Sequence, residues 1–442
     1  MKFPHLEKTS LWSGFSRLGK SISTPKGIFY WSARAKTEAE IDGTIGIAQD
    51  DDGTISHLKV AEPWAGEKIM QRVPKGKIFG YAPIEGVESL RKKWLARILK
   101  QHPELEKAIT LPVVTNGITH SIAIASRLFL EPGETLITAD KSWENYEHIF
   151  TGSQGVLIHP FALFTQAGEF HIPALLEACR QVAVKQKKVV LLLNFPHNQT
   201  GFMPTSQQFE ELAQKFHNLC REFSGVPFVL LLDDAYEGYV YDDTGQKFSP
   251  LSQLFAPLPN LSIAKMDGIS KVMLAYGYRV GFLTFVANSL DGTPFTDDFL
   301  QGLWAEAGTK IGGCIRAEIS QTGHHGQVLA DALMDDIATV EVERGEVIAR
   351  LGARWKMMMK TLDECYAKYG KQKVWVDPCN GGFFAYLNLA ADLDAKQVAE
   401  RLLKEKKVGV VPSGQGIRVA FAGVSEAKVP RMITAIFEVV HG

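Results

Sequence analysis

Between residues 110 and 285 the chain alternates short β-branched or leucine-rich runs with stretches of helical spacing, and nothing else in the sequence constrains the fold as much. The runs LITA (136–139), VLIHPF (156–161), VVLLLNF (189–195), FVLLLD (228–233) and VGFLTF (280–285) lack two-residue periodicity. A strand wetted on one face alternates apolar and polar residues, whereas a strand covered on both faces does not. Apolar residues recur at helical spacing over 117–130, 172–185 and 205–223. The pattern predicts an α/β fold: a mostly parallel sheet with right-handed crossovers and helices on both faces. Ligands of such sheets bind at the carboxyl ends of the strands.

The C-terminal third reads differently. A helical stretch at about 326–368 leads into FFAYLNL (383–389), a helix near 395–406, then VGVVP and IRVAFAG, the pattern of a smaller α+β domain. The first 75 residues carry turns at DDDGT and VPKGK and are too irregular for a core of their own, so they are expected to join it. The expected division is a large domain at 76–325 and a small one at 1–75 with 326–442. At 442 residues, 45% of them hydrophobic, the chain has ample material for two or three domains of about 150 residues. Lys plus Arg (48) balances Asp plus Glu (49), which gives no general pull toward nucleic acid or anionic lipid. The five cysteines (Cys179, Cys220, Cys314, Cys365, Cys379) form no CxxC pair and suggest neither a disulfide framework nor a zinc site. The N-terminal MKFPHLEKTSLWSGF lacks an apolar signal region, and no stretch is apolar for long enough to span a bilayer. A reduced, cytoplasmic setting is the expectation.

Chemistry concentrates at a few strand ends. In DGISKVMLAYGYRVGF (267–282), Lys271 sits among small and apolar residues just before a strand. Burial lowers a lysine's pKa and frees its amine to form Schiff bases with aldehydes. Arg279, eight residues on, offers a planar fork for a phosphate. The plainer alternative is a surface lysine and an arginine at a strand start. In LLLDDAYEGY (230–239), Asp233 ends a buried strand and needs either a cationic partner or a helix N-terminus to cap. NFPHNQTG (194–201) closes another buried strand with turn residues. TNGITHS (115–121) marks a strand-to-helix turn whose amides suit an anion.

Taken together and in this order, these segments resemble the aspartate aminotransferase family, class I/II aminotransferases of fold type I of the pyridoxal phosphate enzymes. The resemblance runs from about Pro25 to Arg418 and beyond. It implies a seven-stranded-type sheet sandwiched by helices in the large domain, and pyridoxal 5′-phosphate as cofactor. By the same resemblance Lys271 is the Schiff-base lysine and later moves the proton between the substrate Cα and the cofactor's C4′. Asp233 holds the pyridine nitrogen protonated, Tyr236 and Asn198 bond its phenolic oxygen, and Trp143 of KSWENY stacks on the ring. Asn116, Gly117 and Ile118 cradle the phosphate with backbone amides and Arg279 clamps it.

Other matches bear on substrate and assembly. IDGTIGIAQDDDG (41–53) places Gly46 beside the substrate. GYAPIEGVESLRKKW (80–94) matches the segment in which Tyr81 reaches the phosphate of a neighbouring subunit, which implies a homodimer with shared sites. GIRVAFAG (416–423) supplies Arg418 for the α-carboxylate, and IRAEISQTG (315–323) supplies Arg316 for a distal carboxylate across the dimer. The implied activity is a ping-pong exchange of an amino group between an L-amino acid, of aspartate/glutamate or aromatic type, and a 2-oxo acid.

The chain departs from the family's pattern at several places. The hydroxyl expected three residues before the lysine is Gly268, with Thr119 as a candidate substitute. SIAK (262–265) imitates the lysine motif, but Lys265 lies fourteen residues before Arg279 rather than eight and is rejected. Two family prolines that can carry cis bonds are Lys141 and Gln199 here, leaving either trans bonds or retained strain. The histidine beneath the pyridine-binding acid is replaced by Tyr146. His324 and His325 are adjacent, point apart and suggest no metal site. The rivals are a lyase, racemase or decarboxylase on the same scaffold, and a transcription regulator, for whose DNA-binding domain the stretch before Pro25 leaves no room.

Overall fold

The computed structural model describes residues 3–23, 27–66, 68–74 and 76–442; Pro25 and the Lys75 edge of the expected domain boundary lie outside them. Seven strands form the main sheet: β1 (Val113–Thr115), β2 (Thr135–Ala139), β3 (Leu157–Phe161), β4 (Val189–Asn194), β5 (Phe228–Asp233), β6 (Leu261–Gly268) and β7 (Gly281–Val286). Their order is β1-β7-β6-β5-β4-β2-β3. All neighbours pair in parallel except β7, which runs antiparallel to both β1 and β6. Every residue of β4 and β5 is buried, as the uninterrupted apolar runs require.

Helices cover both faces. Helix α1 (Glu88–Gln101) comes before the sheet, and α2 (Ile118–Phe129), α3 (Ile172–Gln186) and α4 (Ser206–Glu222) are crossover helices. In α4 the residues Phe209, Leu212, Ala213, Phe216, Leu219 and Cys220 form one buried stripe, and Thr205 with Gln208 closes a capping box at its start. A cap of this kind is worth about 1 kcal/mol and fixes where the chain leaves the loop after β4.

Register places the chemistry. Asn194 pairs with Asp233 and Asp233 with Met266, while Gly268 and Thr115 both pair with Gly281. The ends of β1, β4, β5 and β6 and the start of β7 therefore share one edge of the sheet. The loops carrying Gly117, Asn198, Tyr236, Lys271 and Arg279 all leave from it.

Strand β6 escapes a reading of apolar runs because it contains Lys265 and Asp267. Both are buried. Lys265 pairs with Asp234, with Glu237 at 3.2 Å and with Asp267 at 3.4 Å, while the Trp94 indole donates to Asp267 at 2.9 Å. Burial alone would discharge this lysine; the three carboxylates hold it protonated, above the usual lysine range. Its amine is committed to that cluster.

A second core lies around a four-stranded antiparallel sheet of β8 (Val374–Val376), β9 (Ala385–Leu389), β10 (Val411–Ser413) and β11 (Gly416–Val419), in the order β10-β11-β9-β8. The stretch read as one helix over 326–368 is two, α5 (His324–Asp335) and α6 (Ile337–Tyr369), broken at Asp336. Helix α6 joins the cores: Val340, Val347 and Leu351 belong to the first, Met358, Leu362 and Cys365 to the second. The N-terminal residues divide as well. Trp31 and Ile41 pack in the second core, whereas Ala48, Leu58 and Ile69 pack in the first.

Candidate active site

Lys271, Asp233, Tyr236, Asn198, Trp143 and Ile118 line one cleft, together with Thr119, Ile122, Asn194 and Ala235. The Lys271 amine stands 4.9 Å from the centre of the Tyr236 ring, and its backbone carbonyl accepts a 2.8 Å bond from the Tyr239 hydroxyl. Burial pulls the Lys271 pKa down to about 8, with Asp233 opposing the fall and Arg279 adding to it. Burial pushes the Asp233 carboxyl up, and Tyr146 and Lys271 restrain that rise.

The lowered lysine has a measurable consequence. Only the neutral amine attacks an aldehyde, and its fraction grows as pH rises through the pKa. The rate at which Lys271 reacts with an aldehyde probe is expected to climb with a midpoint near pH 8. A midpoint near 10.5, the ordinary value for a lysine, would contradict the burial described here.

Asp233 is held from three directions. The Tyr146 hydroxyl donates to its Oδ2 at 2.6 Å and the Ala235 amide to its Oδ1 at 3.2 Å, while the Asn194 side chain donates to its backbone carbonyl at 2.8 Å. Tyr146 thus takes the supporting place left by the missing histidine. The Asn194 Oδ1 accepts the Asn198 amide at 2.8 Å, and Asn198 Nδ2 donates to the Tyr236 oxygen at 3.1 Å. The Asn198 Oδ1 is left buried without a partner. Trp143 meets Tyr146 edge to face, ring centres 5.5 Å apart.

At the turn from β1 into α2, Gly117 has φ +83°, and a Cβ there would lie 2.4 Å from Nη2 of Arg279. Only glycine lets the guanidinium approach this closely. Arg279 also has positive φ and donates to the Tyr276 carbonyl at 3.1 Å. The amides of Gly117, Ile118 and Thr119 head helix α2. The Asn116 amide donates to Nδ1 of His120 at 3.0 Å. A side chain at position 268 would meet the Val280 carbonyl at 2.7 Å and Gly281 Cα at 2.9 Å, so no hydroxyl fits there. Thr119 is the hydroxyl that lines the cleft. Among the described residues the cis peptide bond is Phe195–Pro196, and those at Lys141 and Gln199 are trans.

Residues 52–436 match the family model described as aminotransferase class I and II. The chain belongs to the class I and II aminotransferases. It is 25% identical to the mitochondrial aspartate aminotransferase of Schizosaccharomyces pombe, over 83% of this chain and 79% of that protein. It is 24% identical to aromatic-amino-acid aminotransferase 2 of Thermococcus litoralis, over 87% and 88%. The fold is that of an aminotransferase from Anaerococcus prevotii, with TM-score 0.81 and 22% identity over 97% of this chain and 100% of that one. The molecule is a transaminase, and the lyase, racemase and decarboxylase alternatives are not favoured.

Arg418 is buried with its guanidinium 4.2 Å over the Phe384 ring. Among the described residues its Nη2 has no hydrogen-bond partner. Gly46 faces the same ring, which a Cβ at that position would approach to 3.1 Å. Gly46, Arg418, Arg316 and Tyr81 are not among the residues that line the cleft. Arg316 is exposed and bonds Ser320 at 2.5 Å, and Tyr81 is 86% exposed. Sequence reasoning missed Asn194 and His120. Asn194, a polar residue closing a fully apolar strand, carried a signal; His120 lies one helical turn beyond Asn116 and is found only once helix α2 is placed.

Proposed function

We propose that this transaminase works with pyridoxal 5′-phosphate and exchanges amino groups between an L-amino acid, of dicarboxylic or aromatic type, and a 2-oxo acid in two alternating half-reactions. The reading rests on one observation above all: a nucleophilic amine and a buried acid line the same cleft. The donor set fits the cofactor. Among the described residues Asn198 Oδ1, on the cleft lining, is buried without a partner, and Arg279 lies against Gly117 at the N-terminus of helix α2, a place suited to an anion.

When bound, the cofactor supplies a ring that delocalises the electrons left at Cα after proton loss. Asp233, oriented by Tyr146, would hold the ring nitrogen, and Tyr236, steadied by Asn198, would hold the ring oxygen, with Trp143 against the ring. The Gly117, Ile118 and Thr119 amides with Arg279 would hold the phosphate. Lys271 would hold the cofactor through its amine and would move the Cα proton, a role that its burial-lowered pKa of about 8 suits. Arg418 receives the α-carboxylate as a planar fork.

The finer assignments complete the proposal. Arg316 and Tyr81 serve the neighbouring subunit of a homodimer, which accounts for their exposure in a single chain, and Gly46 borders the substrate. The large unit spans 76–325, the small one draws on both ends of the chain, and the enzyme works in the cytoplasm.

A panel of L-amino acids assayed against 2-oxoglutarate, with wild type and Arg316→Leu, tests the substrate reading. Loss of a charged hydrogen-bond pair costs about 1.5–3 kcal/mol, so kcat/KM for aspartate is expected to fall roughly 10- to 150-fold. Values for phenylalanine are expected to change far less. Equal losses on both would remove Arg316 from the distal site.

A further inference from the structure

The segment that carries Trp143 leaves β2 in the first core, and the strand that carries Arg418 belongs to the second. Lys141 ties them together. Its amine lies 2.5 Å from Asp377 Oδ2 and 3.0 Å from Asn388 Oδ1, and 4.8 Å above the Tyr386 ring. The receiving side is itself ordered: Asn388 Nδ2 donates to Asp377 Oδ1 at 2.7 Å, and the Asp377 amide donates to the Tyr386 carbonyl at 3.0 Å. Asp377 is buried, so its charge needs this partner. Tyr386 stands directly opposite Arg418 in the β9–β11 register. On the other side of the tie, Gln199 donates to the Ser142 carbonyl at 3.2 Å, which fixes the backbone between Lys141 and Trp143.

Lys141 supplies the charge of this tie and Gln199 a side-chain donor beside it.

We propose that Lys141 is a positioning residue that latches the Trp143 segment to the Asp377–Asn388–Tyr386 face, and thereby sets the distance between the stacking ring and the Arg418 carboxylate grip. The proposal rests on the reading that Trp143 stacks and Arg418 receives a carboxylate. Lys141 touches neither substrate nor cofactor; it acts through the strand it holds.

The test is equilibrium titration of the cofactor-loaded enzyme with two non-reacting carboxylates, succinate and 3-phenylpropionate. Lys141→Met keeps the aliphatic stem and removes the charge. Lys141→Met/Asp377→Asn removes both charges, so its lost binding reflects the missing tie and not a stranded carboxylate. Both variants are expected to raise the Kd of the carboxylate that the wild type binds by about ten-fold, with cofactor Kd within about two-fold and Lys141→Arg restoring most of the loss. In turnover the same variants raise KM and leave kcat nearly unchanged. Wild-type carboxylate binding in both variants overturns the latch, and so does an equal loss of cofactor and carboxylate. Failure of the underlying reading looks different: Arg418→Lys would then bind both carboxylates as the wild type does, and the latch would fall with it.

Discussion

Replacing Lys271 with alanine is expected to lower kcat by at least roughly 10⁴-fold, the upper end for loss of a positioned proton-transfer group alone. On the proposed reading the residue would both hold the cofactor and move the Cα proton. Lys265 is six residues away in sequence, but its amine is committed to Asp234, Glu237 and Asp267. The fold should survive. The wild-type amine has its pKa near 8 against 10.5 for an unperturbed lysine, so between these values the unfolded chain binds more protons than the folded one. Wild-type stability of the cofactor-free protein therefore rises over that interval, and below it the buried ammonium disfavours folding. Lys271→Ala removes that penalty, so its denaturation midpoint at neutral pH should equal or exceed that of the wild type. Turnover and urea unfolding measured together check the prediction; a variant retaining more than about one hundredth of wild-type activity would contradict it.

Asp233→Asn is the second large effect. The amide keeps the shape and a hydrogen-bond acceptor for Tyr146 but carries no charge for a ring nitrogen. Electrostatic groups of this kind are worth roughly 10²–10³-fold in kcat. The loss should appear in kcat for every amino acid tested, since the acid acts on the ring and not on the substrate side chain. Cofactor affinity should fall far less, because Arg279 and the Gly117–Thr119 amides are untouched. A variant whose loss depends on the amino acid offered would instead place Asp233 on the substrate side. Stopped-flow measurement of each half-reaction separates the two cases.

Much of this arrangement was legible because burial leaves a mark on local sequence. The runs at 136–139, 156–161, 189–195, 228–233 and 280–285 became strands displaced by at most a residue; β4 and β5 are buried at every position, whereas in the edge strand β3 only Phe161 is buried. Asp233, Tyr236 and Asn198 were readable because each closes or follows such a strand, and Lys271 because it precedes one; their meeting in one cleft follows from the register. What stayed hidden depends on partners distant in sequence. β6 looked unlike a strand because its Lys265 and Asp267 are neutralised by Asp234, Glu237 and the Trp94 indole, none of which a local pattern connects to it. The partner of the Asn116 amide, His120, comes within reach only once helix α2 is placed. The break at Asp336 interrupts an apolar periodicity that is otherwise continuous, and the division of the N-terminal residues between two cores needs both cores to be in place.

The central claim is that the amine of Lys271 bonds to the cofactor's aldehyde. Borohydride reduction of the loaded enzyme makes that bond permanent, and peptide mapping by mass spectrometry locates it. A single phosphopyridoxyl mass on the peptide containing Lys271 is the expected result. The same mass on Lys265 or on any other lysine, with Lys271 unmodified, would contradict the account.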